Sequence, residues 1–322
     1  MKFSVGLPRG KSDFVNDIIE YKDSISEVYF AWGDFASGRS NGSDMYELTE
    51  WERMSEQVSC LDKLKEHGIA FNLLFNANCY GAESQSRTLF NKIGTTVDYV
   101  QSKYKLSSVT TTSPLIAKFI HDNFEGLEVR ASVNMEVGTP EGMDYIAKYF
   151  DGYYMKREYN RDLEKIKELR AWCDERGKKL YMLANSGCLN FCSAHNFHDN
   201  LVAHESEISK MDNAYAFTGI CKEYLSNPEN YGALITNTNF IRPEDIHKYE
   251  PYFDGIKLAT RVNRNPSQVL RSYVRQKYSG NLLELLEPAH SIYPYVLENG
   301  EELKIVKIDT AGGIIDVNQQ DD

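Results

Sequence analysis

The sequence predicts a (β/α)8 barrel, in which eight parallel strands form a closed ring and a helix follows each strand. Eight short apolar runs alternate with longer polar stretches of helical periodicity, which is the number of units that this barrel requires. A length of 322 residues suits one such barrel. An open doubly wound sheet has the same local pattern, but no Gly-rich phosphate-binding loop follows any predicted strand. The barrel is therefore favoured.

The predicted strands are short runs rich in β-branched and aromatic residues. They are Lys2–Leu7, Glu27–Trp32, Phe71–Asn76, Ser107–Thr112, Glu128–Met135, Gly152–Lys156, Leu180–Ala184 and Gly255–Ala259. The clearest helical patterns between them are Glu52–His67, Ser84–Lys103, Pro140–Phe150 and Arg161–Arg176. Helix ends are marked by prolines at expected first turns and by glycines at expected C-caps, namely Pro114, Pro140, Pro243, Gly68 and Gly177.

The regular alternation is interrupted once, between the seventh and eighth strands. Residues 186–254 separate these strands by roughly 70 residues, about twice the length of an ordinary strand–helix unit. Insertions at the carboxyl ends of barrel strands commonly carry the chemistry of the protein. We predict a barrel over residues 1–275 that includes this insertion, and a C-terminal extension over residues 276–322 that packs on the barrel.

The composition limits the partners of the chain. There are 36 Lys and Arg residues against 47 Asp and Glu residues, which gives a formal net charge of −11. An acidic chain disfavours non-specific binding to nucleic acid, because such binding needs a cationic surface. No apolar run approaches the roughly 20 residues that span a bilayer, and residues 1–13 lack the apolar core of a signal peptide. We expect a cytoplasmic protein without a membrane partner.

The six cysteines divide into two groups. Cys60 and Cys173 occupy apolar positions of helical patterns, which predicts burial in the core. The other four follow predicted strands or lie in the insertion: Cys79, Cys188, Cys192 and Cys221. All strands of a barrel end at one mouth, where thiols that are distant in sequence can meet.

Disulfides are rare in a reducing cytoplasm, so these four thiols predict a metal centre. Ligands scattered around a preformed cavity favour a [4Fe–4S] cluster. Zinc bound by Cys188, Cys192, His195 and His198 is an alternative, and unmetallated thiols are another. A radical S-adenosylmethionine enzyme is disfavoured, because His195 stands where its third cysteine is expected.

The segment that contains the paired cysteines resembles the U32 peptidase family. The resemblance includes Cys221 and four segments: Phe71–Cys79 (FNLLFNANC), Asn185–His198 (NSGCLNFCSAHNFH), Asn237–Glu250 (NTNFIRPEDIHKYE) and Asp254–Arg261 (DGIKLATR). It extends over about residues 1–275 and is densest from Leu183 to Arg261. It implies a barrel-like fold and a [4Fe–4S] cluster whose ligands are Cys79, Cys188, Cys192 and Cys221.

The family contains collagenase-like peptidases and iron–sulfur proteins of oxygen-independent hydroxylation. The residues before Cys188 lack the E-x-F-x2-G start of the peptidase-type signature. The resemblance therefore implies redox or oxygen-transfer chemistry on a small anionic or aromatic substrate. Two alternatives remain: a U32-type peptidase or other hydrolase, and a non-catalytic, cluster-bearing accessory protein that binds a partner protein or an electron donor.

Polar residues near the predicted strand ends are candidates for binding and catalysis. Cationic and amide side chains there would complement an anionic substrate. The predicted substrate-binding residues are Arg9, Asn134, Lys156, Arg157, Lys257 and Arg261. The predicted acid–base residues are Glu136, His195 and His198. Neither a G-x-S-x-G elbow nor an H-E-x-x-H motif occurs, so hydrolysis by those routes has no local support.

Overall fold

Eight parallel strands form a closed barrel in the computed structural model, which describes residues 1–33, 35–38, 49–208, 210–212, 217, 219–308 and 314–315. Each strand pairs with the next one along the chain, and the eighth pairs with the first. The barrel strands are β1 (Phe3–Gly6), β2 (Ile25–Phe30), β3 (Phe71–Phe75), β4 (Leu106–Thr111), β5 (Glu128–Ala131), β6 (Gly152–Tyr154), β7 (Lys179–Leu183) and β8 (Gly255–Leu258). The predicted (β/α)8 fold class is confirmed.

Helices alternate with these strands. The first six are α1 (Phe14–Glu20), α2 (Glu50–Glu66), α3 (Arg87–Lys103), α4 (Pro114–Asn123), α5 (Pro140–Ile146) and α6 (Leu163–Arg176). Four short helices lie between β7 and β8, namely α7 (His195–Ala203), α8 (Glu205–Ile208), α9 (Ile220–Tyr224) and α10 (Ala233–Thr236). Helix α11 (Pro266–Arg275) follows β8. Within the described residues, no helix is long and apolar enough to cross a membrane.

The predicted elements agree closely with the observed ones. Cys60 on α2 and Cys173 on α6 are buried, as predicted. The main difference is β5, which ends at Ala131 instead of continuing to Met135. The hydroxyl of Ser132 accepts a hydrogen bond from the Asn134 backbone N–H, and this local bond starts a 3-10 turn in place of further strand.

The barrel interior contains a buried ion pair between β2 and β5. Glu27 of β2 accepts a hydrogen bond from Arg130 Nη1 of β5 at 2.5 Å. The same carboxylate accepts from Ser4 and Asn72 at 3.0 Å and from Ser108 at 3.1 Å. A buried carboxylate is stabilised only when its oxygens are satisfied in this way.

Arg130 also binds a second carboxylate, that of Glu128. Glu128 accepts from Arg130 Nε at 2.7 Å, from Lys179 Nζ at 2.7 Å and from the Tyr181 hydroxyl at 2.6 Å. Burial alone would raise the pKa of Glu128, but Arg130, Lys179 and Tyr181 together outweigh burial and lower this pKa to about 2. The carboxylate therefore stays ionised in the folded protein well below neutral pH.

The chain after the barrel contacts the start of the insertion. Asn185 Nδ2 donates to the Leu285 carbonyl at 2.8 Å, the Glu287 N–H donates to the Asn185 carbonyl at 3.0 Å, and His290 Nε2 donates to the Gly187 carbonyl at 2.7 Å. An antiparallel sheet of β9 (Tyr295–Asn299), β10 (Leu303–Ile308) and β11 (Ile314–Ile315) follows. The division into a barrel of residues 1–275 and an extension of residues 276–322 stays a prediction.

We expect Glu128 to make folding stability sensitive to acid. Its pKa is about 2 in the folded protein, against an ordinary value of 4.5, so its contribution is complete above pH 4.5 and is lost as the pH falls towards 2. The loss should be about 3 kcal/mol. Urea unfolding at pH 7, 5, 4 and 3 should show a steeper fall for the wild type than for Glu128→Gln.

Glu164→Gln is the matched control, because the Glu164 side chain is 87% exposed. This variant should keep the wild-type dependence on pH. Equal slopes for wild type and Glu128→Gln would show that Glu128 contributes nothing to acid stability.

Candidate functional site

The carboxylate of Glu136 lies beyond the end of β5 and contacts helix α7 of the insertion. The Glu136 backbone is left-handed, with φ 52°, which is uncommon for a residue other than glycine. Its Oε1 is 2.6 Å from His195 Nδ1, and its Oε2 is 3.6 Å from Lys156 Nζ. Burial would raise the pKa of Glu136, but the hydrogen bond from His195 and the charges of Lys156 and Arg157 lower it. Glu136 is therefore an anion at neutral pH.

His195 and Asp199 are one turn apart on α7, and both are buried. His195 Nε2 is 3.4 Å from Asp199 Oδ2 but has no hydrogen-bond partner among the described residues. Glu158 Oε2 is also buried without such a partner. Glu136, Glu158 and His195 each offer a donor atom, and these atoms lie within 4.8 Å of one another. The insertion thus supplies the imidazole, and the ends of β5 and β6 supply the carboxylates.

The third predicted acid–base residue, His198, contacts an aromatic ring. Its ring lies 5.7 Å from the ring of Phe217. The structure brings Glu136 and His195 together in a hydrogen-bonded pair. The acid–base roles of all three residues stay predictions.

Two of the predicted metal-binding thiols act electrostatically on a third, that of Cys221. Burial raises the pKa of the Cys221 thiol, and the thiols of Cys188 and Cys192 raise it further by charge repulsion. Cys221 is thus close enough to both to interact electrostatically. Their role as metal ligands stays a prediction.

Arg157 lies beside these thiols, and its side chain is almost fully buried. It is 2% exposed, and its Nη1 lies 3.5 Å from Cys188 Sγ. Its Nε and Nη2 have no hydrogen-bond partner in the described part of the chain. A buried guanidinium with unpaired donors is costly unless an anion compensates it. This position therefore favours a negatively charged group beside Cys188.

Cys79 has a different partner, the imidazole of His204. The hydrogen bond with His204 lowers the pKa of the Cys79 thiol, and the Gly81 N–H, 3.3 Å from Cys79 Sγ, lowers it further. His204 Nδ1 is 2.8 Å from Glu207 Oε2. Cys79 and Glu207 in turn raise the pKa of His204. A thiol, a base and a carboxylate that orients the base are thus hydrogen-bonded in series, and the predicted metal-ligand role of Cys79 stays untested.

Two predicted substrate-binding cations lie close to aromatic rings of the barrel. Lys257 Nζ lies 4.1 Å from the ring centroid of Tyr29 and 5.3 Å from that of Tyr154. Arg261 Nη1 donates to the Ser37 hydroxyl at 2.7 Å, and its guanidinium lies 5.9 Å from the Tyr29 ring. These contacts place positive charge against buried ring faces.

Asn134 and Arg9 contact the residues that follow β2. Arg9 donates to the Gly33 carbonyl. The Gly38 N–H donates to Asn76 Oδ1 at 3.2 Å, and a Cβ on Gly38 would lie 2.4 Å from Asn134 Nδ2. Only a glycine allows this segment to approach Asn134 so closely. The substrate-binding roles of Asn134 and Arg9 stay predictions.

Sequence reasoning missed four residues of this region: Glu158, Asp199, His204 and Glu207. The signal for Asp199 was present, because His195 and Asp199 are spaced i, i+4 in a helical pattern and lie on one face. His204 and Glu207 carry the equivalent i, i+3 signal. The link from each pair to Glu136 or to Cys79 depends on tertiary contacts that spacing does not reveal.

Comparisons with known proteins agree with this architecture. No protein-family model matches the chain. The sequence is similar to the uncharacterized protease MJ1657 of Methanocaldococcus jannaschii, with 26% identity over 288 residues that cover 86% of this chain and 80% of the relative. The structure is similar to that of the U32 peptidase Mk0906, with a TM-score of 0.56 and 16% identity, covering 80% of this chain and 92% of that chain.

The fold and the site define a (β/α)8-barrel protein with thiols, carboxylates and a buried cation near the carboxyl ends of its strands. The structural likeness establishes the fold. Together with the sequence likeness to a protein named a protease, it confirms the predicted resemblance to the U32 peptidase family.

We expect Cys79 to be the most reactive of the cysteines towards iodoacetamide. His204 and the Gly81 N–H stabilise its thiolate, so alkylation should reach half its maximal rate below the ordinary thiol pKa of 9.0. His204→Gln should move this midpoint to higher pH. Peptide mass spectrometry after timed labelling at several pH values measures both.

Cys60 and Cys173 serve as internal controls, because burial raises their pKa values to about 11 and about 12. His121→Gln is the matched variant, since His121 faces Asp151 at 3.5 Å on another part of the barrel. An unchanged midpoint in His204→Gln would contradict the thiolate–imidazolium pair.

Proposed function

We propose that the chain holds a [4Fe–4S] cluster at Cys188, Cys192 and Cys221 and acts as an iron–sulfur oxidoreductase on a small anionic or aromatic substrate. The observation that carries this proposal is the buried guanidinium of Arg157 at 3.5 Å from Cys188 Sγ, together with the electrostatic effect of Cys188 and Cys192 on Cys221. Thiolates are the usual ligands of iron–sulfur clusters. Arg157 would complement the negative charge that thiolate ligation brings.

The spacing of the thiols bears on the kind of centre. Zinc bound by sulfur at about 2.3 Å in a tetrahedron has ligands about 3.8 Å apart. In the described part of the chain, the set of three donors found within 4.8 Å of one another contains no cysteine. At least one pair of the three thiols is therefore farther apart than 4.8 Å, which exceeds the ligand spacing of one zinc ion. This separation supports a larger centre, such as a [4Fe–4S] cluster. A bound cluster supplies electron transfer, or a Lewis-acidic iron where one iron lacks a protein ligand.

Residues of the barrel support the substrate class. The ammonium of Lys257 and the guanidinium of Arg261 lie near the Tyr29 ring, and positive charge beside an aromatic ring supports an anionic or aromatic substrate. Oxygen transfer or another redox step on such a substrate also needs an electron partner, which a docking protein or small donor would provide. We propose that this redox reaction is of the hydroxylation type, as the resemblance implies.

Anaerobic reconstitution with iron and sulfide tests the cluster. We expect about four irons per chain and a broad visible absorption near 400 nm, as is typical of such clusters. Cys188→Ser, Cys192→Ser and Cys221→Ser should each lose most of this iron. Cys60→Ser is the matched control, because Cys60 is buried in the hydrophobic core on helix α2.

Cys79→Ser tests whether the cluster has three cysteine ligands or has Cys79 as a fourth. Retention of iron is expected, since His204 already holds the Cys79 thiol. Loss of the cluster would make Cys79 the fourth ligand, as the resemblance implies. A colourless protein with less than about one iron per chain after reconstitution would exclude the iron–sulfur function.

The substrate class is tested with two small acids. Benzoate and phenylpyruvate should perturb the electron paramagnetic resonance spectrum of the reduced protein, and Lys257→Met should abolish this perturbation.

A peptidase is a second candidate, supported by the hydrogen-bonded series Cys79, His204 and Glu207. A nucleophile, a base and a group that orients the base are the parts that nucleophilic catalysis requires. The Cys79 thiolate would attack the peptide carbonyl carbon, the His204 imidazolium would protonate the departing amine, and water would release the acyl group from sulfur. The name of the relative in Methanocaldococcus jannaschii agrees with this candidate.

Hydrolysis of gelatin and of short fluorogenic peptides distinguishes the two candidates. A peptidase that uses this thiol should lose at least about a hundredfold in rate in Cys79→Ala and His204→Gln. It should keep its rate in Cys188→Ser, because that thiol belongs to the other group. Turnover that survives in Cys79→Ala, or its absence in every preparation, would exclude this route.

A further inference from the structure

We propose that Glu136, Glu158 and His195 form a binding site for one divalent transition-metal ion, supported by Asp199, beside the thiols and separate from them. One donor atom from each of the first three residues lies within 4.8 Å of the others. The residues come from three parts of the chain: the turn after β5, the 3-10 turn Arg157–Tyr159 after β6, and helix α7.

The donor spacing needs only a small contraction to bind an ion. Bonds of about 2.1 Å from nitrogen and oxygen place neighbouring ligands about 3.0 Å apart and opposite ligands about 4.2 Å apart. His195 Nδ1 and Glu136 Oε1 are already 2.6 Å apart, joined by a proton that a metal would displace. Asp199 Oδ2 lies 3.4 Å from His195 Nε2, on the side of the ring away from Glu136, and is placed to orient the ring.

An unpaired buried atom is the independent sign that a ligand is missing from this group. Glu158 Oε2 is buried and has no hydrogen-bond partner among the described residues. His195 is 8% exposed, so its imidazole is shielded from water. Asp199 is 2% exposed, and its contacts are distant, at 3.4 Å to His195 and 3.5 Å to the Asn78 amide. Buried polar atoms normally find closer partners than these.

Two carboxylates, of Glu136 and Glu158, supply the negative charge of the site. The positive charges near Glu136 belong to Lys156 and Arg157, with Lys156 Nζ at 3.6 Å from Glu136 and Arg157 Nη1 at 3.5 Å from Cys188 Sγ. The two carboxylates would balance the charge of a divalent ion, while Arg157 complements the negative charge at the thiols.

The donor set indicates which ions are suitable. One imidazole with two carboxylates suits Mn²⁺, Fe²⁺ or Zn²⁺ and disfavours soft ions such as Cu⁺, which select thiolates. Mn²⁺ is therefore a probe that distinguishes this site from the neighbouring cysteines. Glu136 and His195 would then act as ligands instead of as the acid–base pair that the sequence predicts.

Titration of the chelator-treated full-length chain with Mn²⁺ tests the site. Electron paramagnetic resonance of free Mn²⁺ reports the bound fraction, and we expect about one bound ion per chain. Glu136→Gln, Glu158→Gln and His195→Gln should each weaken binding at least about tenfold.

Two controls separate this site from the others. His204→Gln and Glu207→Gln alter another His–Glu pair and should leave Mn²⁺ affinity within about twofold of the wild type. Cys188→Ser combined with Cys192→Ser and Cys221→Ser should do the same, so loss of the cluster and loss of this site are distinguishable.

Thermal unfolding of each variant shows whether it folds, and Glu136→Asp provides a milder change that should weaken binding less than Glu136→Gln. No Mn²⁺ or Zn²⁺ bound at about 1 mM, or binding that survives all three ligand substitutions, would overturn the proposal. Binding that requires the cysteines would overturn it too.

Discussion

Closure of the barrel between β1 and β8 is the constraint on which the arrangement of the site depends. The two strands pair in parallel with Phe3 beside Ile256 and Val5 beside Leu258, and the Tyr29 hydroxyl of β2 bonds the Leu258 carbonyl at 2.9 Å. Closure brings the last strand next to the first. The long segment that joins β7 to β8 starts at the carboxyl end of β7. Because all eight strands are parallel, their carboxyl ends meet at one rim. Residues that follow β3, β5, β6 and β7 consequently become neighbours, although more than a hundred residues can separate them.

Two buried guanidiniums show how the same chemistry serves different purposes in this barrel. Every nitrogen donor group of Arg130 reaches a carboxylate, since Nη1 binds Glu27 and both Nε and Nη2 bind Glu128. Arg157 is buried as deeply, but it has the Cys188 sulfur at 3.5 Å and two nitrogens without partners among the described residues. A satisfied buried ion pair stabilises the arrangement of strands, whereas an unsatisfied buried cation costs free energy that a stable fold alone does not explain. The contrast is why Arg157, and not Arg130, indicates a place for an anionic group.

The fold was predictable from sequence because strand and helix periodicities are local properties. The eight strands, the buried Cys60 and Cys173, and the prolines at the starts of α4 and α5 all follow from neighbouring residues. The site was predictable only in part. Strand ends identified Glu136 and Arg157, and a polar surrounding identified Cys188 and Cys192. The partners of these groups depend on the path of the insertion. Nothing local to Cys79 indicates that His204 would reach it, and the contact of Glu136 with α7 depends on its left-handed backbone at φ 52°.

The two residues after β6 connect the parts of the mouth electrostatically. Lys156 faces Glu136 at 3.6 Å, and the next residue, Arg157, faces Cys188 at 3.5 Å while still lowering the pKa of Glu136. A change of charge at the thiols therefore alters the field at Glu136, and a change at Glu136 alters the field at the thiols. Such coupling is reciprocal by thermodynamic necessity. In a partly buried site it is screened less by salt than an exposed pair would be. Proton or cation binding near Glu136 and the charge state of the sulfur group should therefore respond to each other, with Arg157 as the residue that both share.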